Sequence, residues 1–260
     1  MAAVEESHWW YRSTRGLLDE VLGPSMPDGG LFLDAGGGTG ATGAWMAGRG
    51  HLVASDFEPI ALPLYREEHA GALGFAAADV QRLPFRTGSF DIALCVTVLY
   101  HQGIVSPAAA VAELARVVKP GGVVCLMEPG VRRLFRAHDR EVHGARRFSL
   151  SDVRHLLSVN GLSVERATGA YSFLVPLAAA KALVERGETA SDLDNNADGL
   201  RGALGRVASA ERAVLRRVSL PFGLSVLAVG RKRSDVDAID APAVVIPSTF
   251  GSGVSPGVER

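Results

Sequence analysis

The part of the sequence most suited to binding chemistry is a glycine-rich segment that follows a short apolar run. Residues 31–34 read LFLD, and they are followed by Gly36, Gly37, Gly38 and Gly40. Glycine has no Cβ and tolerates positive φ, so a ligand can approach bare main chain at such a turn. We expect a helix to begin after the glycines, and the free N–H groups at its start would attract a negative group. The segment therefore predicts a nucleotide-like cofactor.

The residues around the glycines narrow the choice of cofactor. A P-loop needs a lysine after its last glycine, and none follows Gly40. Residues 38–43 do match the letters of a dinucleotide fingerprint, with Asp56 near the expected ribose position. Against this, Asp34 at the strand end would place a carboxylate beside the pyrophosphate and repel it. An NAD-dependent oxidoreductase stays open as the less favoured alternative.

Carboxylates also end two later apolar runs. Asp56 closes the run 52–56, and Asp79 follows the run 74–78. The carboxyl ends of parallel strands share one edge of a sheet, so these acids and Asp34 would surround the glycine turn. Each acid has a plainer alternative as a residue that stabilises a strand-end turn.

The apolar runs predict the elements that position these residues. The runs are continuous rather than alternating, as in a parallel sheet covered on both faces. Ser106-Pro107 and Ser149-x-x-Asp152 are helix starts, and Asn160-Gly161 is a helix end. This alternation indicates an α/β fold, a doubly wound, mostly parallel seven-stranded sheet. The predicted strands are 31–34, 52–56, 74–78, 90–96, 122–128, 162–167 and 221–229.

We expect a single domain over residues 1–232. A helix over 8–23 would precede the first strand as a lid, and a helical insertion over 172–217 would precede the last strand as a substrate cover or dimer face. Residues 233–260 form a tail rich in Pro, Ser, Gly and Val, which is expected to be poorly ordered or to lie on the surface.

Composition and charge exclude several classes of protein. A net charge of −1 with 47% apolar residues is ordinary for a globular enzyme and gives no sign of nucleic-acid binding. Cys95 and Cys125 lie in apolar runs, which predicts buried reduced thiols without a disulfide or metal site. The charged first 25 residues do not resemble a signal peptide. We expect a cytoplasmic monomer or homodimer without a transmembrane segment.

Five segments in order resemble the class I S-adenosylmethionine (SAM)-dependent methyltransferases. They read DAGGGTG at 34–40, VASDF at 53–57, AAADVQRLPF at 76–85, FDIALCVTVLYH at 90–101 and ARVVKPGGVVCLMEP at 115–129. The resemblance covers roughly residues 8–170 and depends on the order and spacing of the motifs. It implies a Rossmann-like methyltransferase fold that binds SAM and releases S-adenosylhomocysteine (SAH).

The resemblance also implies a cofactor site. Asp56 would accept both ribose hydroxyls, and Asp79 and the Val80 N–H would contact the adenine. Phe57 would cover the adenine face, with core packing as its alternative. The glycines and the start of the first helix would meet the amino-acid end of SAM. The implied residues are Asp34, Ala35, Gly36, Gly38, Gly40, Asp56, Phe57, Asp79, Val80, Val96, Trp10 and Arg15.

The acceptor side is less specific. Methyl transfer needs mainly alignment, and an oxygen acceptor also needs a general base. His101 follows the fourth strand and is the candidate base, with packing beside the cofactor as its alternative. Six arginines in 132–148 suit an anionic substrate or a solvated basic face equally well. The candidate acceptor contacts are Tyr11, Tyr100, His138, His143 and Arg147.

The resemblance thus implies methyl transfer from SAM to a small molecule. The expected acceptor is an oxygen of a sugar, a lipid-linked compound or a natural-product intermediate. A SAM-binding protein without methyl transfer, such as a cyclase or a regulatory partner, is the alternative on the same fold. The sequence has no added basic domain, zinc knuckle or aromatic platform of the kinds that bind nucleic acid.

Overall fold

A seven-stranded sheet forms the centre of the protein. The computed structural model describes residues 8–69, 71–135, 139, 143–184 and 198–234. The strands are Leu31–Ala35 (β1), His51–Asp56 (β2), Ala72–Ala77 (β3), Phe90–Val96 (β4), Val118–Pro129 (β5), Leu162–Ala170 (β6) and Ser225–Lys232 (β7). Their order is β3-β2-β1-β4-β5-β7-β6. β1 to β5 pair in parallel, and β7 runs antiparallel to β5 and β6. The predicted doubly wound, mostly parallel sheet is confirmed.

Helices lie between the strands at the positions that the boundary signals predict. The Ser106 hydroxyl caps its helix by accepting the Ala109 N–H at 3.1 Å, and Ser149 with Asp152 forms a capping box. The α-helices are Trp9–Leu22 (α1), Ala61–Glu68 (α2), Pro107–Val117 (α3), Leu150–Val159 (α4), Val175–Val184 (α5) and Asp198–Leu215 (α6). No helix in the described ranges is long and apolar enough to cross a membrane.

Apolar side chains cover both faces of the sheet. Phe32 and Leu33 are neighbours in β1 and point to opposite faces, and both are fully buried, in two different apolar clusters. This two-sided burial explains the continuous apolar runs of the sequence. Cys95 and Cys125 are buried free thiols in β4 and β5, as predicted.

The segment after the glycine turn differs from the expectation. The sequence predicts a helix there, but residues 41–43 form turns and are followed by a 3₁₀ helix at Ala44–Gly48. Gly43, Gly48 and Gly50 fall within this segment, and each glycine costs a helix about 1 kcal/mol relative to alanine. The expected attraction of a ligand to the N-terminus of an α-helix therefore does not apply to this segment.

The first helix joins the glycine turn to the helical region between β6 and β7. Arg15 in α1 donates to the Ala41 carbonyl at 2.8 Å. On the other side of α1, the Thr14 and Tyr171 hydroxyls are 2.7 Å apart, and Glu20 pairs with Arg212 at 3.0 Å. Helices α5 and α6 occupy the predicted insertion, whereas residues 185–197 and the tail from 235 lie outside the described residues. The division into domain, cover and tail stays a prediction.

Candidate active site

A cavity of about 890 Å³ lies at the carboxyl ends of the central strands. An open α/β sheet places its ligand crevice at this edge, because helices and loops diverge there. The glycine turn, the loops after β2 to β5 and the start of α1 form its wall. The predicted residues that line it are Trp10, Tyr11, Gly36, Gly38, Asp56, Phe57, Asp79, Val80, Val96, Tyr100, His101, His143 and Arg147.

The glycine turn is held in a conformation that favours glycine. Gly36 and Gly38 have φ of +74° and +56°. The N–H groups of Gly36 and Gly37 donate to the Ser55 carbonyl at 2.7 and 3.0 Å, which ties the turn to β2. A Cβ on Gly36 would overlap the Val98 side chain, whereas one on Gly38 would meet nothing within 4 Å. The turn therefore presents open backbone to the cavity at Gly38.

Asp34 lies beneath the glycine turn rather than in the cavity wall. Its side chain is 1% exposed and accepts the Tyr65 hydroxyl at 3.0 Å. Burial raises the pKa of Asp34 to about 7, and the neighbouring charge of Asp56 adds to the rise. A Cβ on Gly37 would lie 2.6 Å from the Asp34 carboxylate. The expectation that Asp34 faces the ligand is wrong, because this acid supports the turn from below.

Three other predicted cofactor residues lie outside the cavity wall. Ala35 is fully buried in β1. Gly40 has φ of +93° and packs against Tyr65 and His69 instead of the cavity. Arg15 donates to the Ala41 carbonyl, so it holds the turn from outside. Gly40 and Arg15 thus act on the shape of the turn, and none of the three residues lines the cavity.

The strand-end acids Asp56 and Asp79 do line the cavity. Asp56 accepts the N–H groups of Gly38 and Glu58, each at 2.8 Å. Asp79 accepts the Gln81 N–H at 2.8 Å. A carboxylate offers about four lone-pair sites, so each acid both stabilises its turn and keeps acceptor capacity for a ligand. Binding a ligand and stabilising a strand-end turn are therefore compatible roles for these two acids.

The side chains beside the acids are apolar. Phe57 lines the cavity and is 70% exposed, so the alternative of core packing is wrong. Val80 and Val96 also line the cavity and are each 4% exposed. Trp10 and Tyr11 enter the wall from α1, with ring centroids 4.8 Å apart. This end of the cavity therefore combines apolar and aromatic surface with carboxylates.

His101 and Tyr100 reach the cavity from the loop after β4. Burial and the neighbouring His143 lower the pKa of His101 below its ordinary value. A neutral imidazole is the form that can accept a proton. Burial raises the pKa of Tyr100 to about 12, so its phenol stays protonated near neutral pH. His143 lies beside them, with its Nδ1 3.2 Å from the Gln102 side-chain amide.

Three of the four described arginines of the segment 132–148 have partners within the protein, namely Arg132, Arg146 and Arg147. Arg147 donates to Asp139 at 2.8 Å and to the Gly130 carbonyl at 3.1 Å. Arg146 donates to the carbonyls of Leu99 and Ile104, and Arg132 pairs with Asp152. These contacts favour a structural role over an anion site or a solvated face. His138 lies outside the described residues.

Sequence reasoning missed several residues of the site. Gln102 and Glu58 line the cavity, and Asp139 lies in its wall beside Arg147. Glu128 is fully buried at the end of β5 and accepts backbone N–H groups of the loop that carries Tyr100. The signal for Glu128 was present, because an acid ends an otherwise apolar run, as at Asp56. No local signal marks Asp139, since only the fold brings it to the cavity.

Comparison with known proteins adds independent findings. A family model for a methyltransferase domain matches residues 33–126. A demethylmenaquinone methyltransferase of Clavibacter sepedonicus is 37% identical over 146 residues, which cover 54% of this chain and 56% of that protein. A malonyl-[acyl-carrier protein] O-methyltransferase of Serratia marcescens is 38% identical over 104 residues, covering 40% of this chain and 39% of that protein. The chain thus spans about half the length of the first relative and less of the second.

Solved structures show the same architecture at low sequence identity. One is phosphoethanolamine N-methyltransferase 2 of Haemonchus contortus in complex with S-adenosyl-L-methionine. It matches with a TM-score of 0.58 at 15% identity, covering 90% of this chain and 58% of that one. At this identity the likeness shows the fold alone.

Proposed function

We propose that this chain is a class I SAM-dependent methyltransferase and that it transfers the methyl group of SAM to a small-molecule acceptor. One observation carries the proposal. The open glycine turn, the acids Asp56 and Asp79 and the histidine His101 line a single cavity. The glycine turn with Asp56 and Asp79 suits the nucleoside of the cofactor. His101 can accept the proton that an acceptor hydroxyl loses.

The cofactor half of the cavity fits SAM better than a dinucleotide. Its described lining residues between 36 and 80 include Asp56, Glu58 and Asp79 but no lysine or arginine. A pyrophosphate there would meet three carboxylates without a compensating side-chain cation. SAM has no phosphate and carries a positive sulfonium, so the same charges favour it. These three acids therefore disfavour NAD in the cavity, whereas the buried Asp34 does not contribute.

Each residue has a proposed part in holding the cofactor. Asp56 would accept the ribose hydroxyls, and its charge would strengthen both hydrogen bonds. Asp79 and the Val80 N–H would address the adenine, with Phe57 over the ring. The backbone at Gly36 and Gly38 would receive the amino-acid end. When bound, SAM supplies a methyl group that is already activated by the sulfonium.

The acceptor half supports a proton-linked transfer. His101 would accept the proton of a hydroxyl acceptor, since its lowered pKa keeps the imidazole neutral near pH 7. The Tyr100 phenol would donate a hydrogen bond to the acceptor. We propose an oxygen acceptor, for which the named O-methyltransferase relative offers a precedent. An oxygen of a sugar, lipid-linked or natural-product intermediate stays the proposed class.

A ligand comparison tests the cofactor. The chain is expected to show a higher Tm with SAM and with SAH and an unchanged Tm with NAD⁺ or NADH, because a ligand that binds only the folded state stabilises it by mass action. Stabilisation by the nicotinamide dinucleotides alone would overturn the assignment.

Turnover is tested separately by the release of SAH from SAM with a panel of hydroxylated acceptors. The panel should include phenols, sugars and lipid-linked alcohols, with amine and thiol analogues as controls for the acceptor atom. Tight SAH binding without turnover on any acceptor would favour the non-transferring alternative, a cyclase or a regulatory partner.

A further inference from the structure

The carboxylate of Glu128 lies where three consecutive backbone N–H groups converge. Its side chain is 0% exposed, at the carboxyl end of β5. Oε1 accepts the N–H groups of Val98 and Leu99 at 3.2 and 2.9 Å, and Oε2 accepts the Tyr100 N–H at 3.2 Å. A buried carboxylate is costly unless hydrogen bonds compensate it, so this arrangement is specific.

The loop that Glu128 holds begins in a strained conformation. Thr97 follows β4 directly and has φ of +53°. A β-branched residue in the left-handed region is a genuine outlier and persists only where the surrounding structure enforces it. The Thr97 N–H donates to the Met127 carbonyl at 2.7 Å, one residue before Glu128. β5 thus holds the loop through both its backbone and the Glu128 side chain.

The carbonyl side of the same loop is held independently. Arg146 donates to the Leu99 carbonyl at 3.0 Å and to the Ile104 carbonyl at 2.7 Å. The Ala145 N–H donates to the Tyr100 carbonyl at 2.8 Å. With its N–H groups on Glu128 and its carbonyls on residues 145–146, the loop backbone is fixed from two sides.

The side chains of this loop point to the functional parts of the cavity. Tyr100 and His101 line the half that would receive the acceptor. Val98 lies against Gly36, so closely that a Cβ on that glycine would overlap it. One short segment therefore contacts the cofactor turn and also carries the proposed base.

We infer that Glu128 is a positioning residue, whose buried carboxylate fixes residues 97–101 so that Tyr100 and His101 face the acceptor. The inference rests on the proposed function for the role of His101, but the geometry of the loop does not depend on it. Burial raises the pKa of Glu128 to about 8, and its N–H donors and the charge of Arg146 act in the opposite direction. The N–H groups thus favour the ionised form, which predominates above about pH 8.

The variant Glu128→Gln tests the inference with little change in volume. A glutamine has one acceptor oxygen, so its NH₂ group must face at least one of the three N–H donors. Glu113→Gln is the matched control, because Glu113 also accepts a backbone N–H, that of Leu83 at 2.8 Å, but is not among the residues that line the cavity.

The first readout is ¹⁹F NMR of protein labelled with 3-fluorotyrosine. The chain has four tyrosines, and Tyr100→Phe assigns the Tyr100 signal. In Glu128→Gln the Tyr100 signal should shift or broaden, while the signals of Tyr65 and Tyr171 stay unchanged. In Glu113→Gln all four signals should stay. An unchanged Tyr100 signal in Glu128→Gln would overturn the inference.

The second readout is the titration of His101, which distinguishes positioning from simple electrostatics. The signal is followed in ¹³C-histidine-labelled protein and assigned with His101→Asn. Removal of a negative charge lowers the pKa of a nearby histidine or leaves it unchanged. If the loop loosens and exposes His101 to water, the pKa of His101 should rise toward its ordinary value, because burial is the main cause of the lowered pKa. A rise in Glu128→Gln supports the inference, and a fall or no change contradicts it.

The third readout separates this inference from the proposed function. Titration calorimetry with SAH should give an affinity for Glu128→Gln within roughly tenfold of the wild type, because the Asp56 contacts remain. Turnover on the acceptor that the wild type accepts should fall by up to about 100-fold, since a misplacement of about 1 Å can cost that much. A wild type that neither binds SAH nor turns over refutes the function, while the NMR readouts still decide the role of Glu128.

A second variant covers the case in which Glu128→Gln does not fold. Arg146→Met removes the donors to the Leu99 and Ile104 carbonyls and keeps a long apolar side chain. The same loop is then loosened from its other side. It should produce the same change in the Tyr100 signal, and an unchanged Tyr100 signal would overturn the inference.

Discussion

The two halves of the cavity are built in different ways. The cofactor half consists of turns that directly follow β1, β2 and β3, and its charged groups are the acids Asp56, Glu58 and Asp79. The acceptor half combines the loop after β4 with Asp139, His143 and Arg147, which are distant from that loop in the chain. The first half depends on local sequence, whereas the second depends on long-range packing. We expect variants in the two halves to separate binding of SAM from turnover.

The largest effect is expected at His101, in the acceptor half. Replacing His101 by Ala removes the proposed base and should lower turnover by ~10²-fold or more, with SAH affinity within a few-fold of the wild type. In the wild type, kcat/KM for the acceptor should rise with pH through a midpoint below the ordinary histidine pKa, because burial lowers the pKa of His101.

Steady-state rates across pH 5 to 9 check the His101 prediction. His155→Ala is the matched control, since His155 lies in α4 and is not among the residues that line the cavity. Near-normal turnover of His101→Ala at every pH would leave His101 as a packing residue.

The next largest effect is expected at Asp56, in the cofactor half. Asp56→Ala removes a charged acceptor of the ribose hydroxyls and should weaken SAM binding by about 2–3 kcal/mol. Titration calorimetry measures the loss. Asp91→Ala is a suitable control, because Asp91 also accepts a backbone N–H, that of Leu31 at 2.8 Å, but is not among the residues that line the cavity. Equal SAM affinity of Asp56→Ala and the wild type would contradict the ribose role.

The smallest effect is expected at Asp34, beneath the turn, and it is an effect on the pH dependence of stability. Its pKa is about 7 in the folded protein, above the ordinary value of 3.8. Between these values the folded state binds more protons than the unfolded state, so this group makes stability fall as pH rises from about 4 to 7. Asp34→Asn removes this contribution. Its Tm relative to the wild type should therefore be higher at pH 8 than at pH 5.

Differential scanning fluorimetry at several pH values checks the Asp34 prediction. Tyr65→Phe is the counterpart with the opposite sign, because the Tyr65 hydrogen bond lowers the Asp34 pKa and its loss should steepen the pH dependence. The prediction is refuted if both variants follow the wild type in parallel across the range.

The sequence predicted those elements and site residues correctly that depend on residues next to them in the chain. The alternation of strands and helices follows from the apolar runs and from helix caps, such as Ser149 with Asp152. Asp56, Asp79 and Phe57 could be found because each stands at or just after the end of an apolar run. The helix expected after the glycine turn was wrong, because the density of glycines there outweighs the general pattern of strand, turn and helix.

The orientation of the Asp34 side chain and the partners of the arginines could not be predicted from local sequence. Both depend on what packs against them. Asp34 turns down toward Tyr65 instead of up toward the cavity, and Arg146 and Arg147 bind carbonyls and a carboxylate of the same chain. A charge in a sequence does not indicate its partner, because the partner lies on another element.

The sequence by itself determined the sheet, the glycine turn and the acids at the strand ends, since backbone conformation and the apolar period are local properties. Only the tertiary structure decided which polar groups are buried under the turn, which arginines are paired and how Glu128 holds the loop of His101. These outcomes follow from desolvation, because each buried charge must find donors or a counter-charge on whichever element the fold brings near.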